Sequence, residues 1–123
     1  MQAEWSEDTP IYKQLRERIV ALILEGELTP GDALPSVRQV AADYRINPLT
    51  VTKAYQELSE ENIVEKRRGL GLYVNEGAKE KLSGQLRHQF LSEEWPKILQ
   101  RIELLGLTVE DLLAHSHGQG GRA

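Results

Sequence analysis

Cysteine is absent from this chain of 123 residues, which excludes disulfides, thiolate nucleophiles and cysteine-built zinc sites and permits a reducing compartment. No apolar run approaches membrane-spanning length, so no membrane partner is expected. The start, Met1 to Asp8, is acidic and polar and lacks the basic leader and apolar core of a secretory signal; the expected location is cytoplasmic. Positive charge is in deficit. A formal net charge of −4 argues against indiscriminate affinity for nucleic acid, because that affinity comes from neutralised phosphates, although a local basic surface is still allowed. A glycine-rich phosphate loop and an activated nucleophile are missing, and the carboxylates are scattered, so neither an enzyme nor a cofactor is expected. The length leaves room for one modest domain with a small appendage.

What the chain does contain is a pair of short helical patterns joined by a tight turn. Ser36 and Gln39 have capping-box spacing, and Val37, Val40, Ala41 and Tyr44 then mark one apolar stripe. Asn47 is a good N-cap, and Pro48 occupies the first helical position, where its missing N–H costs nothing. Val51, Ala54, Tyr55 and Leu58 repeat the stripe, leaving Leu49, Lys53 and Gln56, flanked by Thr50 and Thr52, on the opposite face. That face holds small polar groups, one cation and no acid before Glu57, so it can approach a polyanion and read base edges. The pattern is that of a helix-turn-helix whose second helix does the reading.

Taken in order, Thr9-Pro10 caps a first helix carrying Ile11, Leu15, Ile19, Leu22 and Ile23, and Gly26 to Asp32 reads as loop. After the two core helices, residues 63–67 and 72–75 read as short strands around the turn Arg68-Gly69-Leu70-Gly71, making a wing. Helical spacing resumes with Leu82, Leu86 and Phe90, then Trp95, Ile98, Leu99, Ile102 and Leu105. Pro96 predicts a kink or break near Ser92 to Trp95. Gly106 reads as a helix stop and Thr108 as the start of a last helix carrying Leu112. So apolar an appendage needs a covering surface, and a second copy of the chain supplies one. The expected fold is mainly α with a small β-hairpin wing, divided into a winged helix-turn-helix DNA-binding domain (1–75), a helical dimerisation region (76–116) and a frayed tail (117–123). The dimerisation residues are Leu82, Leu86, Phe90, Trp95, Ile98, Leu99, Ile102, Leu105 and Leu112.

Pro10-Ile11-Tyr12-Lys13-Gln14-Leu15, the run Gly26 to Ala41 with Leu34-Pro35-Ser36-x-Arg38, the run Asn47 to Leu58, and Gly69-x-Gly71 together closely resemble the DNA-binding domain of GntR-family transcriptional regulators. The short C-terminal part is similar to that of the YtrA subfamily, which carries a small helical dimerisation piece. The resemblance implies that Arg38, Asn47, Leu49, Thr50, Thr52, Lys53, Gly69, Leu70 and Gly71 approach DNA. It further implies control of a transporter or envelope-stress operon. Two departures stand out: Pro48 and Thr52 sit where many members have arginine, which implies an altered operator preference.

Charge runs such as Glu65 to Arg68 are usually solvated strand surface, and here either Arg67 or Arg68 is expected on a phosphate. Tyr12 divides evenly between a phosphate contact and a cover for the first helix. Glu57, Glu60 and Glu61 gather at the far end of the reading helix, with no role beyond solubility. His115 and His117 lie in a glycine-rich stretch that reads as tail before it reads as a metal site, and no metal is assigned. The resulting expectation is a sequence-specific repressor that binds a palindromic operator in double-stranded DNA as a homodimer, with an unidentified effector left open. Two alternatives remain: a winged-helix protein–protein adaptor, and a small-molecule or metal sensor that uses the C-terminal helices.

Overall fold

The first helix, α1 (Ile11–Leu24), starts at Pro10, whose φ of −56° is already near helical and whose ring offers no side-chain cap. Thr9, expected to cap, makes no such bond. Its carbonyl oxygen accepts from Gln14 Nε2 at 2.6 Å, and Gln14 also exchanges two hydrogen bonds with the Ser6 backbone. Leu15, Ile19, Val20 and Ile23 are buried, while Leu22, placed on the stripe by spacing, is exposed. The computed structural model describes residues 5–67 and 69–119.

Helix α2 (Val37–Tyr44) begins where Ser36 Oγ accepts from the Gln39 N–H at 3.1 Å. It ends at Arg45, which adopts the left-handed conformation at φ 57° and lets the Ile46 N–H reach back to the Ala41 carbonyl. Helix α3 (Pro48–Glu60) follows at once, its first turn capped by Asn47 Oδ1 accepting from the Leu49 N–H at 2.8 Å. Its stripe of Val51, Ala54, Tyr55 and Leu58 is buried against α1 and α2, and each such large side chain contributes roughly 1.5–3 kcal/mol of burial.

Strands β1 (Val64–Arg67) and β2 (Leu70–Val74) pair antiparallel, with Val64 opposite Val74 and both buried. The register slips after Lys66, so that Arg67 faces Leu70 and Gly71, at φ 54°, takes up the extra position. The loop before α2 also joins this wing. The Gly31 and Leu34 N–H groups donate to the Val74 and Leu72 carbonyls at 2.9 and 2.8 Å, and the Val74 N–H donates to Asp32 O at 2.9 Å.

Helix α4 (Ala78–Gln89) enters the same core through Ala78 and Leu82, so the first compact unit runs to Gly84 and passes well beyond Asn75. Leu82 is 2% exposed, which removes it from the dimerisation face to which its spacing had assigned it. The second unit starts at Gln85. There Pro96 produces a π-helical turn (Phe90–Glu94) where a kink or break was expected. The Trp95 N–H bonds five residues back to Phe90 O and the Ser92 hydroxyl donates to His88 O, and this wider turn leads directly into the helix that carries Pro96 in its first turn. Helix α5 (Trp95–Leu104) closes through Gly106 at φ 74°. Helix α6 (Val109–Gln119) opens with a reciprocal pair between Thr108 and Asp111 and continues into the stretch read as tail. No helix among the described residues is long and apolar enough to cross a membrane.

Tyr55 ties α3 to the start of α2 by donating to the Pro35 carbonyl at 2.7 Å. Burial, with the neighbouring Tyr44 adding to it, pushes its phenol up to about 12 from the ordinary 10. The raised value means that this group stabilises the fold fully below pH 10 and ceases to do so as the pH rises through 12, a contribution of roughly 2–3 kcal/mol. Tyr55→Phe is therefore expected to flatten the alkaline loss of melting temperature across that window. An alkaline limb as steep as the wild type's would refute the assignment.

Candidate nucleic-acid interface

The N-terminal half of α3 is held out to solvent by its own packing. With one stripe buried, Leu49, Lys53 and Gln56 stand exposed on the other side and Thr50 and Thr52 are half-buried between them. Leu49 is 74% exposed at the first turn of the helix, where it can meet an apolar base feature such as a thymine methyl. Arg38 is exposed in the first turn of α2. Asn47 is also exposed, but its side-chain oxygen is committed to the cap, which leaves the amide donors for any further contact.

The wing comes to the same side. Lys66, Gly71 and Leu72 share a cleft of about 360 Å3 with Thr52 of α3 and with Pro35, Ser36 and Val37 at the start of α2. The two glycines of the tip have φ of 73° at Gly69 and 54° at Gly71, conformations that side chains with a Cβ rarely adopt. Arg67 is partly occupied: its Nε lies 3.1 Å from Glu65 Oε2 and its guanidinium 5.5 Å over the Tyr73 ring. Arg68 and the Leu70 side chain, both among the expected contacts, lie outside the described structure.

Three features were missed at the sequence level. Arg45, two positions before Asn47, is an exposed cation in the turn between α2 and α3. Arg16 of α1 grips the acids at the far end of α3: its Nε donates to Glu61 Oε2 at 3.2 Å and lies 3.8 Å from Glu57 Oε1. Lys81 Nζ donates to the Glu61 carbonyl at 2.6 Å, capping a helix end that its own acids oppose. Glu57 and Glu61 are thus structural, and a fork-shaped cation four residues after Tyr12 on α1 was the available signal. The third is the contact between Lys53, itself expected on the reading face, and Tyr12: the ammonium rests 4.2 Å from the centroid of the Tyr12 ring.

In the second unit Leu86, Phe90, Ile98, Leu105 and Leu112 are exposed, Trp95 and Leu99 half-buried and Ile102 buried. Leu91, Leu104 and Leu113 add to the exposed apolar surface. Among the described residues, no group of three or more histidine, aspartate or glutamate side chains is placed to hold a metal ion.

Residues 11–74 match the family described as bacterial regulatory proteins, gntR family. The chain is 40% identical over 105 residues to the HTH-type transcriptional repressor YtrA of Bacillus subtilis (strain 168), spanning 85% of this chain and 79% of that one. It superposes on a GntR family transcriptional regulator from Listeria monocytogenes with a TM-score of 0.75 at 31% identity, covering 93% of this chain and 98% of the other. The DNA-binding domain of AraR, solved in complex with operator ORX1, aligns at a TM-score of 0.51 and 25% identity over 60% of this chain and 90% of its own.

Proposed function

The chain belongs to the gntR family of bacterial regulatory proteins and is YtrA-like within it, a DNA-binding transcription regulator and not an enzyme, and on that premise we propose that it is a repressor. It acts in the cytoplasm as a homodimer on a palindromic operator. Each α3 enters a major groove with Leu49, Thr50, Thr52 and Lys53 toward the bases, while the wing follows the adjacent backbone. Arg38 adds a base or phosphate contact from α2, and Arg67 or Arg68 adds a phosphate contact from the wing.

The observation that carries this reading is the exposed Leu49 at the N-terminus of a helix whose opposite face is wholly buried. A leucine left in water at that point is accounted for by a surface that covers it. The AraR domain, bound to its operator, supports DNA as that surface, and the repressor YtrA supports the direction of control. The exposed apolar side chains of the second unit support a second copy as partner, which gives the two half-sites of a palindrome.

Arg38 supplies the test. It is exposed and removes no core packing when truncated, so Arg38→Ala should melt like the wild type. Binding to an operator selected from random duplexes by the wild-type chain should weaken by roughly 1–3 kcal/mol. Wild-type affinity in the folded variant would remove Arg38 from the interface. Equal affinity of the wild type for selected and scrambled duplexes would remove the sequence-reading function itself.

A further inference from the structure

We infer that Tyr12 is a positioning residue for DNA reading, its ring serving as the platform that holds the Lys53 ammonium ready on the reading face of α3. The inference rests on the proposed role of Lys53 at the bases. Its geometric basis is a ladder between two helices. Tyr12 and Arg16 lie four residues apart on α1, and Lys53 and Glu57 four apart on α3, so each pair occupies one helix face. The first rung sets Lys53 Nζ 4.2 Å from the Tyr12 centroid, and the second sets Arg16 Nε 3.8 Å from Glu57 Oε1. Arg16 also holds Glu61 one turn further on, which fixes the rotation of α3 against α1 and keeps Lys53 over the ring.

A lysine on a bare helix face samples many rotamers, and binding must select one at an entropic cost. A half-buried ring at cation–π distance selects it beforehand and leaves the ammonium its hydrogens for an acceptor. Lys13, whose Nζ is 6.0 Å from the same centroid, sits at the limit of that attraction, so Lys53 is the principal occupant. Tyr12 thus serves neither purely as a phosphate ligand nor as a passive cover for α1. Its face is already taken by the reading cation.

The test is a double-mutant cycle on full-length protein, with the selected operator and a scrambled duplex. Tyr12→Phe keeps the platform and should bind as the wild type does. Tyr12→Leu should lose about three- to fivefold in operator affinity, and should lose nothing further when placed on Lys53→Met. Independently of how the variants fold, the Lys53 ε-methylene protons of the wild type should be shifted upfield by the ring in NMR spectra. Equal losses in Tyr12→Phe and Tyr12→Leu would assign the hydroxyl to DNA and overturn the inference. So would the same Tyr12→Leu loss on Lys53→Met, which marks a structural role, or an unshifted Lys53 resonance. Lys53→Met weakening the operator while Tyr12→Leu does not would overturn the platform and leave the reading of α3 standing. Lys53→Met at wild-type affinity would overturn both, with Arg38→Ala then deciding whether the rest of the interface stands.

Discussion

Leu82→Ala is expected to destabilise the DNA-binding unit by about 2–5 kcal/mol, the usual penalty for emptying a buried leucine site. Leu82 is among the largest fully buried side chains and lies in one cluster with Ile63, Val64 and Val74 of the wing and with the α3 stripe. The loss should appear as a lower unfolding midpoint that does not depend on protein concentration. A residue on a dimer face would instead show a concentration-dependent effect and would leave the isolated unit intact. Two truncations sharpen the test. A chain ending at Gly84 should retain the unfolding transition of the first unit, whereas one ending at Asn75 loses both Ala78 and Leu82 and should be less stable than Leu82→Ala. Equal stability of the two truncated chains would show that α4 contributes nothing to this core.

Ile98→Glu is expected to lower operator affinity by about two to four orders of magnitude without contacting DNA, because in the proposed homodimer two linked half-site contacts would become one. Ile98 is 40% exposed on α5, so a glutamate there stays hydrated in a single chain and disturbs little of its fold. In the proposed dimer the same carboxylate would be buried without a partner, which is strongly unfavourable. If the proposed homodimer forms through this face, sedimentation should report a monomer for the variant at concentrations where the wild type sediments as a dimer. A variant that still dimerises with wild-type affinity for the operator would place the interface elsewhere.

The reading helix was legible because its signals are local. Asn47, Pro48 and the stripe Val51, Ala54, Tyr55 and Leu58 each act within a turn or two of themselves, and the structure places all of them as the spacing predicts. The same holds for Ser36 at the start of α2 and for Thr108 and Asp111 at the start of α6. Where a local rule had more than one outcome the reading was coarser than the structure. Pro96 had to disturb the helix before it, but a break and a π-turn both satisfy a proline, and only the hydrogen bonds of Trp95 and Ser92 show which occurred. Thr9 was a sound capping residue by type, yet Gln14, five positions on, holds the segment instead.

Composition and periodicity by themselves determined the element order, the face that α3 buries and the face it presents, since capping and amphipathic spacing are encoded within a few residues. Only the tertiary structure decided what meets across elements. Leu82 and Leu86 have identical spacing and hydrophobicity, yet Leu82 is buried in the first unit's core and Leu86 is exposed in the second, because burial depends on which surface lies opposite. Arg16 reaches Glu61 across 45 positions, Gly31 pairs with Val74, and Lys53 lies on Tyr12. No periodicity within one segment encodes such pairs, because each is set by the packing of separate elements against a common core.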